Sequence, residues 1–197
     1  MSSKSSIETV KLGVILALFA AVSCTILAVV NNFTSSVIEK NKIEKANAAM
    51  KVVMSEATSF EAVKEFEAST DSTISIQSFY VAKKDGKEIG AVVQVNGPTY
   101  DRGTLMVGML KDGTVTGVQF LELSDSPGFG IKAKDPSFKL PNGKTFCGQF
   151  EGKNAKDGFI PGQTFDAITG STITSRGTGN LLTQATGSML KYFGGAN

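Results

Sequence analysis

Residues 79–95, FYVAKKDGKEIGAVVQV, and 104–121, TLMVGMLKDGTVTGVQFL, decide how the rest of the chain is read. In each, an apolar run leads into Lys-Asp-Gly and a second apolar run follows. Asp and Gly readily supply the positive φ that tight turns demand, so Lys84, Asp85, Gly86 and Lys111, Asp112, Gly113 predict two hairpins. Their strands fall at 79–82, 88–95, 104–110 and 115–121, an antiparallel sheet of about four strands. The turn-rich stretch 96–103 joins the hairpins, which resemble a crude internal duplication.

Upstream, no residue from Leu12 to Val30 is charged. At about 1.5 Å per residue that run spans about 28 Å, close to the hydrocarbon thickness of a bilayer, and predicts one transmembrane helix over 11–31. Lys4 and Lys11 resemble the charged start of a cleavable signal, but the run is too long and ends without a small-x-small cleavage site. A lipoprotein signal would need a branched aliphatic residue where Ala21 precedes Cys24. Lys4 and Lys11 against Glu8 favour a cytoplasmic N-terminus over 1–10, although Lys40, Lys42 and Lys45 follow the span. With no charged residue from Leu12 to Val30, ion conduction would belong elsewhere.

Between anchor and sheet, residues 32–70 read as a juxtamembrane helical segment. Ile43, Ala46, Met50, Val53 and Ala57 recur at three or four, a narrow helical stripe. Thr58 and Glu61 have capping-box spacing and predict a second short helix carrying Ala62, Val63 and Phe66. Beyond the sheet, 124–165 is rich in Gly, Pro, Lys and Asp and reads as long ordered loops with short strands. A last helix, capped by Thr174 or Ser175, places Leu181, Leu182, Ala185, Met189, Leu190 and Phe193 on one apolar face, and Gly194 and Gly195 end it.

Composition excludes several classes. The 197 residues suit one ordinary domain plus accessory segments, and 41% hydrophobic with 19% charged residues allows a real core. A net charge of +2, with both signs interspersed, argues against nucleic acid as a partner. There is no His, which removes the usual general base, the usual triad and most transition-metal sites. Cys24 and Cys147, far apart, predict neither a disulfide nor a metal cluster. No catalytic residue and no metal site is expected.

The densest chemistry lies just before the last helix: Asp166, Ala167, Ile168, Thr169, Gly170, Ser171, Thr172, Ile173, Thr174, Ser175. A helix start offers unpaired N–H groups and a partial positive charge, which suit a phosphate, and a glycine permits close backbone approach. From the residues alone, a polar loop that merely caps a helix is an equal reading.

The stretch resembles the flavinylation motif of the FMN-binding domain family, in which Asp, two residues, Ser or Thr, Gly, Ala, Thr, any residue, Thr is typical. Thr172 falls on the threonine that carries FMN as a phosphoester. Ser171 stands where the family usually has Ala and adds an alternative hydroxyl. A second stretch, Asp125, Ser126, Pro127, Gly128, Phe129, Gly130, is similar to the family's Glu, Thr, Pro, Gly, Leu, Gly loop, which lies by the flavin ring. Taken alone it reads as a Pro-Gly turn.

What the resemblance implies is an α+β chain: one N-terminal transmembrane helix, then an extracytoplasmic FMN-binding domain over 71–197 with antiparallel sheet, long ordered loops and a C-terminal helix. It implies covalent FMN on Thr172, with Thr169, Gly170, Ser171, Thr174, Asp166, Asp125, Ser126, Gly128 and Phe129 as cofactor-binding residues. It also implies a separate magnesium-dependent flavin transferase, using FAD, that modifies Thr172. Within the family the chain looks like the G subunits of Rnf ion-translocating ferredoxin:NAD oxidoreductases and, more distantly, the C subunits of sodium-pumping NADH:quinone reductases. Such a subunit passes electrons between redox centres of a cell-membrane complex, and its partners are the other subunits and membrane lipid. Rival readings are a membrane-tethered binding module without cofactor and a stand-alone flavoprotein reductase. Tyr100 to Gly103 resembles the family's Gly, Tyr, Gly, Gly turn only loosely, and Arg176, one helical turn past Thr172, could reach a phosphate.

Overall fold

The computed structural model describes the backbone of residues 2–194 and the side chains of residues 8–194. Gly195, expected to help end the last helix, lies outside the described residues, as does the Lys4 side chain. The chain divides into two compact units, Met1–Glu44 and Lys45–Asn197.

The first unit is helical throughout its described length. It forms most of α1 (Ser2–Val53), which is helical through the uncharged run and on through the first part of the expected juxtamembrane segment. The reason is local: after Gly13 the helical sequence contains neither Gly nor Pro, so nothing breaks the hydrogen-bond ladder. The apolar side chains of the run are exposed, including Leu16, Phe19, Leu27 and Val30, as expected where lipid replaces water. Thr25 and Thr34 return their hydroxyls to Ala21 O and Val30 O, which satisfies them without a partner chain.

The second unit opens with the last turns of α1, followed by β1 (Ser59–Ala62), β2 (Ser75–Lys84), β3 (Lys87–Pro98), β4 (Arg102–Leu110), β5 (Val115–Leu123) and α2 (Thr172–Tyr192). The five strands form one antiparallel sheet in sequence order. The first hairpin closes as predicted through Asp85 and Gly86, both at positive φ (51° and 78°), and in the second Gly113 supplies the φ of 93°. Strands β3 and β4 run further than expected, so the connector shrinks to Thr99, Tyr100 and Asp101.

Residues 59–62 form a strand, not the expected short helix. Thr58 donates both its N–H and its hydroxyl to Lys83 O, and Glu61 pairs with Lys83 across the sheet instead of capping a turn. Pairing with an existing strand edge outweighs a local capping signal.

Both faces of the sheet are covered, which explains the unbroken apolar run Ala91, Val92, Val93. On one face Ala49, Met50, Val53 and Met54 pack on Ala82, Val92 and Met106. The predicted stripe is borne out at Ala46, Met50 and Val53, whereas Ile43 is exposed and Ala57 lies past the helix end. Helix and sheet approach closely because Gly108 and Gly117 are cross-strand partners: a Cβ on either would lie 2.5 Å from Val53 O or 2.8 Å from Val53 Cα.

On the other face α2 buries Leu181, Leu182, Ala185 and Met189, as its periodicity predicts, with Leu190 and Phe193 partly buried beside them. Gly194, at φ 73°, follows the helix end. Residues 124–165 contain two 3-10 turns, Gly130–Lys134 and Ala155–Asp157, and isolated bridges rather than the expected short strands. What orders them is a buried cluster of Phe146, Phe150, Phe159 and Phe165 in edge-to-face contact.

Candidate functional site

The hydroxyl-rich run folds as a turn that delivers the chain into α2. Gly170 sits at φ 78°, where its missing side chain avoids the strain of the left-handed region. Ser171 N–H bonds to Ile168 O, and Ser171 is the N-cap, so α2 begins at Thr172. This corrects the expectation of a cap at Thr174 or Ser175, which lie inside the first turn. Ser175 Oγ instead accepts from Ile168 N–H and donates to Ser171 O, locking the turn, while Thr174 Oγ1 donates to Asp125. Ser171 makes no side-chain cap bond. The first-turn N–H groups of Thr172, Ile173 and Thr174 therefore point out of the helix without an intrahelical acceptor.

In front of that helix start lies a cleft of about 560 Å³. Ser126, Pro127, Phe129 and Gly130 line it from one loop, Gly170, Ser171, Thr172, Ile173 and Thr174 from the helix start, and Tyr100 from the β3–β4 turn. The two sequence motifs thus meet although residues 131–165 separate them: a Cβ on Gly170 would lie 3.5 Å from the Phe129 ring. Tyr100, Phe129 and Ile173 are 62%, 58% and 58% exposed, so the mouth offers broad apolar faces to solvent. Ser171 Oγ is buried with no hydrogen-bond partner, an orphan that a phosphate oxygen would satisfy after a rotamer change.

The sequence-derived candidates divide. Ser126, Phe129, Gly170, Ser171, Thr172 and Thr174 line the cleft. Gly128, at φ 77°, makes the turn between its neighbours without lining it. Thr169 is exposed outside it, as is Arg176. Asp166 is tied elsewhere: its carboxylate accepts from Asn142 Nδ2 at 2.8 Å, and its N–H donates to Gln149 Oε1 at 2.8 Å. Tyr100, Ile173, Pro127 and Gly130 were missed. Tyr100 left only a weak signal in the loosely matching turn, and Ile173 is the unspecified residue of its motif.

Asp125 lies behind the cleft. It is 3% exposed, and both carboxylate oxygens are fully engaged. Burial pushes its pKa up, but hydrogen bonds from Asp101 N–H, the Thr174 and Thr99 hydroxyls and Tyr100 N–H outweigh it and hold the carboxyl below its ordinary value. A depressed folded pKa stabilises above the unfolded value of about 3.9 and is lost as pH falls through the folded pKa. Unfolding free energy is therefore expected to decline more steeply below about pH 4 in the native chain than in Asp125→Asn, measured by denaturant melts at several pH values. Parallel declines would remove this role.

Among the described residues no three His, Cys, Asp or Glu side chains converge as metal ligands. The arrangement suits a bound phosphate with a flat apolar group, not acid–base chemistry.

Residues 100–187 match the FMN-binding domain family, and residues 1–53 match the RnfG N-terminal region. The chain is similar to the G subunit of the Na(+)-translocating ferredoxin:NAD(+) oxidoreductase complex of Acetobacterium woodii, at 30% identity over 184 residues covering 84% of each chain. It is likewise similar to the G subunit of the ion-translocating oxidoreductase complex of Salmonella typhimurium, at 30% identity over 185 residues covering 89% of this chain and 88% of that one. Among solved structures, Shewanella oneidensis NqrC is similar with a TM-score of 0.47 and 17% identity, over 73% of this chain and 74% of that one.

Proposed function

This chain belongs to the family of G subunits of ion-translocating ferredoxin:NAD oxidoreductase (Rnf) complexes, and on that premise we propose that Thr172 carries FMN through a phosphoester in the cleft at the start of α2. The chain is an electron-transfer subunit of such a complex and a membrane protein. FMN, when bound, exchanges electrons singly or in pairs, and the protein supplies position, hydrogen bonds and burial.

The observation that carries the reading is that Thr172, exposed at the first position of α2, opens onto the same cleft as Phe129, Tyr100 and the orphaned Ser171 hydroxyl. The residues present fit the group. A cleft of about 560 Å³ is within the range that encloses small cofactors. The N–H groups of Thr172, Ile173 and Thr174, with the partial positive charge of the helix start, would hold the phosphoryl oxygens. Phe129, Tyr100 and Ile173 would cover the ring faces and exclude water from them.

Attachment itself needs no base from this chain. A flavin transferase would join Thr172 Oγ1 to the flavin-side phosphorus of FAD, break the pyrophosphate bond and release AMP, with the hydroxyl proton lost to solvent or the transferase. Thr172 is exposed, as a substrate of another enzyme must be. We place the N-terminus in the cytoplasm, from Lys11 before the uncharged run, and the flavin domain outside it. The other membrane and peripheral subunits of the complex and the surrounding lipid are its partners.

Trypsin digestion of the chain isolated from its own membranes tests this. Peptide 157–176, which ends at Arg176 and contains Thr172, is expected to be heavier by FMN less one water and to fluoresce after denaturation. An unmodified peptide from cells that contain the transferase would refute the reading.

A further inference from the structure

Asp125 does not line the cleft, yet each of its partners belongs to a segment that does. Its Oδ1 accepts from Thr99 Oγ1 at 2.6 Å and Asp101 N–H at 3.0 Å, both in the β3–β4 turn that presents Tyr100. Its Oδ2 accepts from Thr174 Oγ1 at 2.5 Å, in the first turn of α2, and from Tyr100 N–H at 3.3 Å. Asp125 itself opens the loop that carries Ser126, Phe129 and Gly130. That loop is seated on the same junction, because a Cβ on Gly130 would collide with Thr174 Oγ1 and lie 2.6 Å from Asp125 Oδ2.

An ionised carboxylate has about four lone-pair sites, and these four donors use them all. Nothing remains to accept from a ligand. We propose that Asp125 is the positioning residue of the cleft: its carboxylate fastens the three lining segments to one another and so sets the shape presented to the flavin. The proposal rests on reading the cleft as the FMN site, and it deepens that reading by giving Asp125 a role exercised only through other residues. An amide cannot substitute. Asparagine has one accepting oxygen and an NH₂ group that would face donors, so about half of the junction would be lost.

The test uses the full chain in detergent, made in a host that flavinylates it. Peptide mass reports attachment, the flavin's visible circular dichroism and fluorescence report its surroundings, and thermal unfolding reports the fold. Asp125→Asn and Thr99→Val are expected to keep FMN on Thr172 while separation of the three fastened segments becomes about tenfold more frequent, the scale set by losing a hydrogen bond to a charged acceptor. That change is read as stronger fluorescence and loss of the visible dichroism. Thr99 does not line the cleft, so its effect on the flavin passes through Asp125, and Thr99→Ser, which keeps the hydroxyl, is expected to restore the native signals. Native flavin signals in Asp125→Asn and Thr99→Val overturn the proposal, as does a Thr99→Ser chain that behaves like Thr99→Val. If Asp125→Asn does not fold, the two Thr99 variants decide the matter. A native chain with no flavin on Thr172 would instead overturn the functional reading, and the proposal with it.

Discussion

Thr172→Val, produced where the flavin transferase is active, yields a folded, membrane-bound and colourless chain. Valine matches threonine in shape, and position 172 is exposed at the first helical residue. Stability should therefore change by about 0.5 kcal/mol or less, while covalent flavin falls from full occupancy to none. The neighbouring hydroxyl does not take over. Ser171 is 6% exposed and its Oγ is buried, so the transferase would have to unwind the N-cap to reach it. Ser171→Ala is expected to keep the flavin on Thr172, because it removes at most one hydrogen bond to the bound phosphate and leaves the attachment oxygen in place. The measurement is in-gel flavin fluorescence after denaturation together with the mass of peptide 157–176. A fluorescent Thr172→Val chain with the flavin on Ser171 would show that the choice of hydroxyl is not made by exposure.

Much of this architecture was legible because the signals are local. The Asp85–Gly86 turn, the uncharged run from Leu12 and the 3.6-residue periodicity of 181–193 each state their geometry within a few residues. The failures arose where partners are distant in sequence. Thr58 and Glu61 look like a capping box until Lys83 is placed beside them, and no property of residues 58–61 announces that strand edge. The helix cap was misplaced by three or four residues because Thr174 and Ser175 have the right chemistry for a cap but are drawn off by Asp125 and Ile168. Asp125 shows the limit most sharply. Its motif indicated the right loop, but that its carboxylate is saturated by Thr99, Tyr100, Asp101 and Thr174 depends on contacts spanning up to 49 residues. Asp166 is the opposite case: it stands in the flavin motif by sequence, yet it is held by Asn142 and Gln149 away from the cleft.

The same substitution at two glycines of α2 is expected to act with opposite signs. Gly177 packs against the β3–β4 turn, and a Cβ there would lie 2.6 Å from Thr99 Cα and 2.7 Å from Pro98 O. Both are backbone atoms and cannot swing aside, so Gly177→Ala must push α2 off the sheet. Overpacking of this kind costs about 1–3 kcal/mol, and the roughly 1 kcal/mol gained in helix propensity does not offset the upper part of that range. Gly187, near the other end of the same helix, has nothing within 4 Å of the corresponding position, so Gly187→Ala keeps the propensity gain of about 1 kcal/mol without the clash. Thermal unfolding of the second unit should thus fall by roughly 5 °C for Gly177→Ala and rise by roughly 3 °C for Gly187→Ala. Displacement at Gly177 also moves Thr99 relative to Thr174, the two hydroxyls that Asp125 holds, so Gly177→Ala should raise flavin fluorescence well below its unfolding temperature while Gly187→Ala leaves it unchanged. A Gly177→Ala chain as stable as the native one would mean that α2 does not bear on the β3–β4 turn as closely as these distances require.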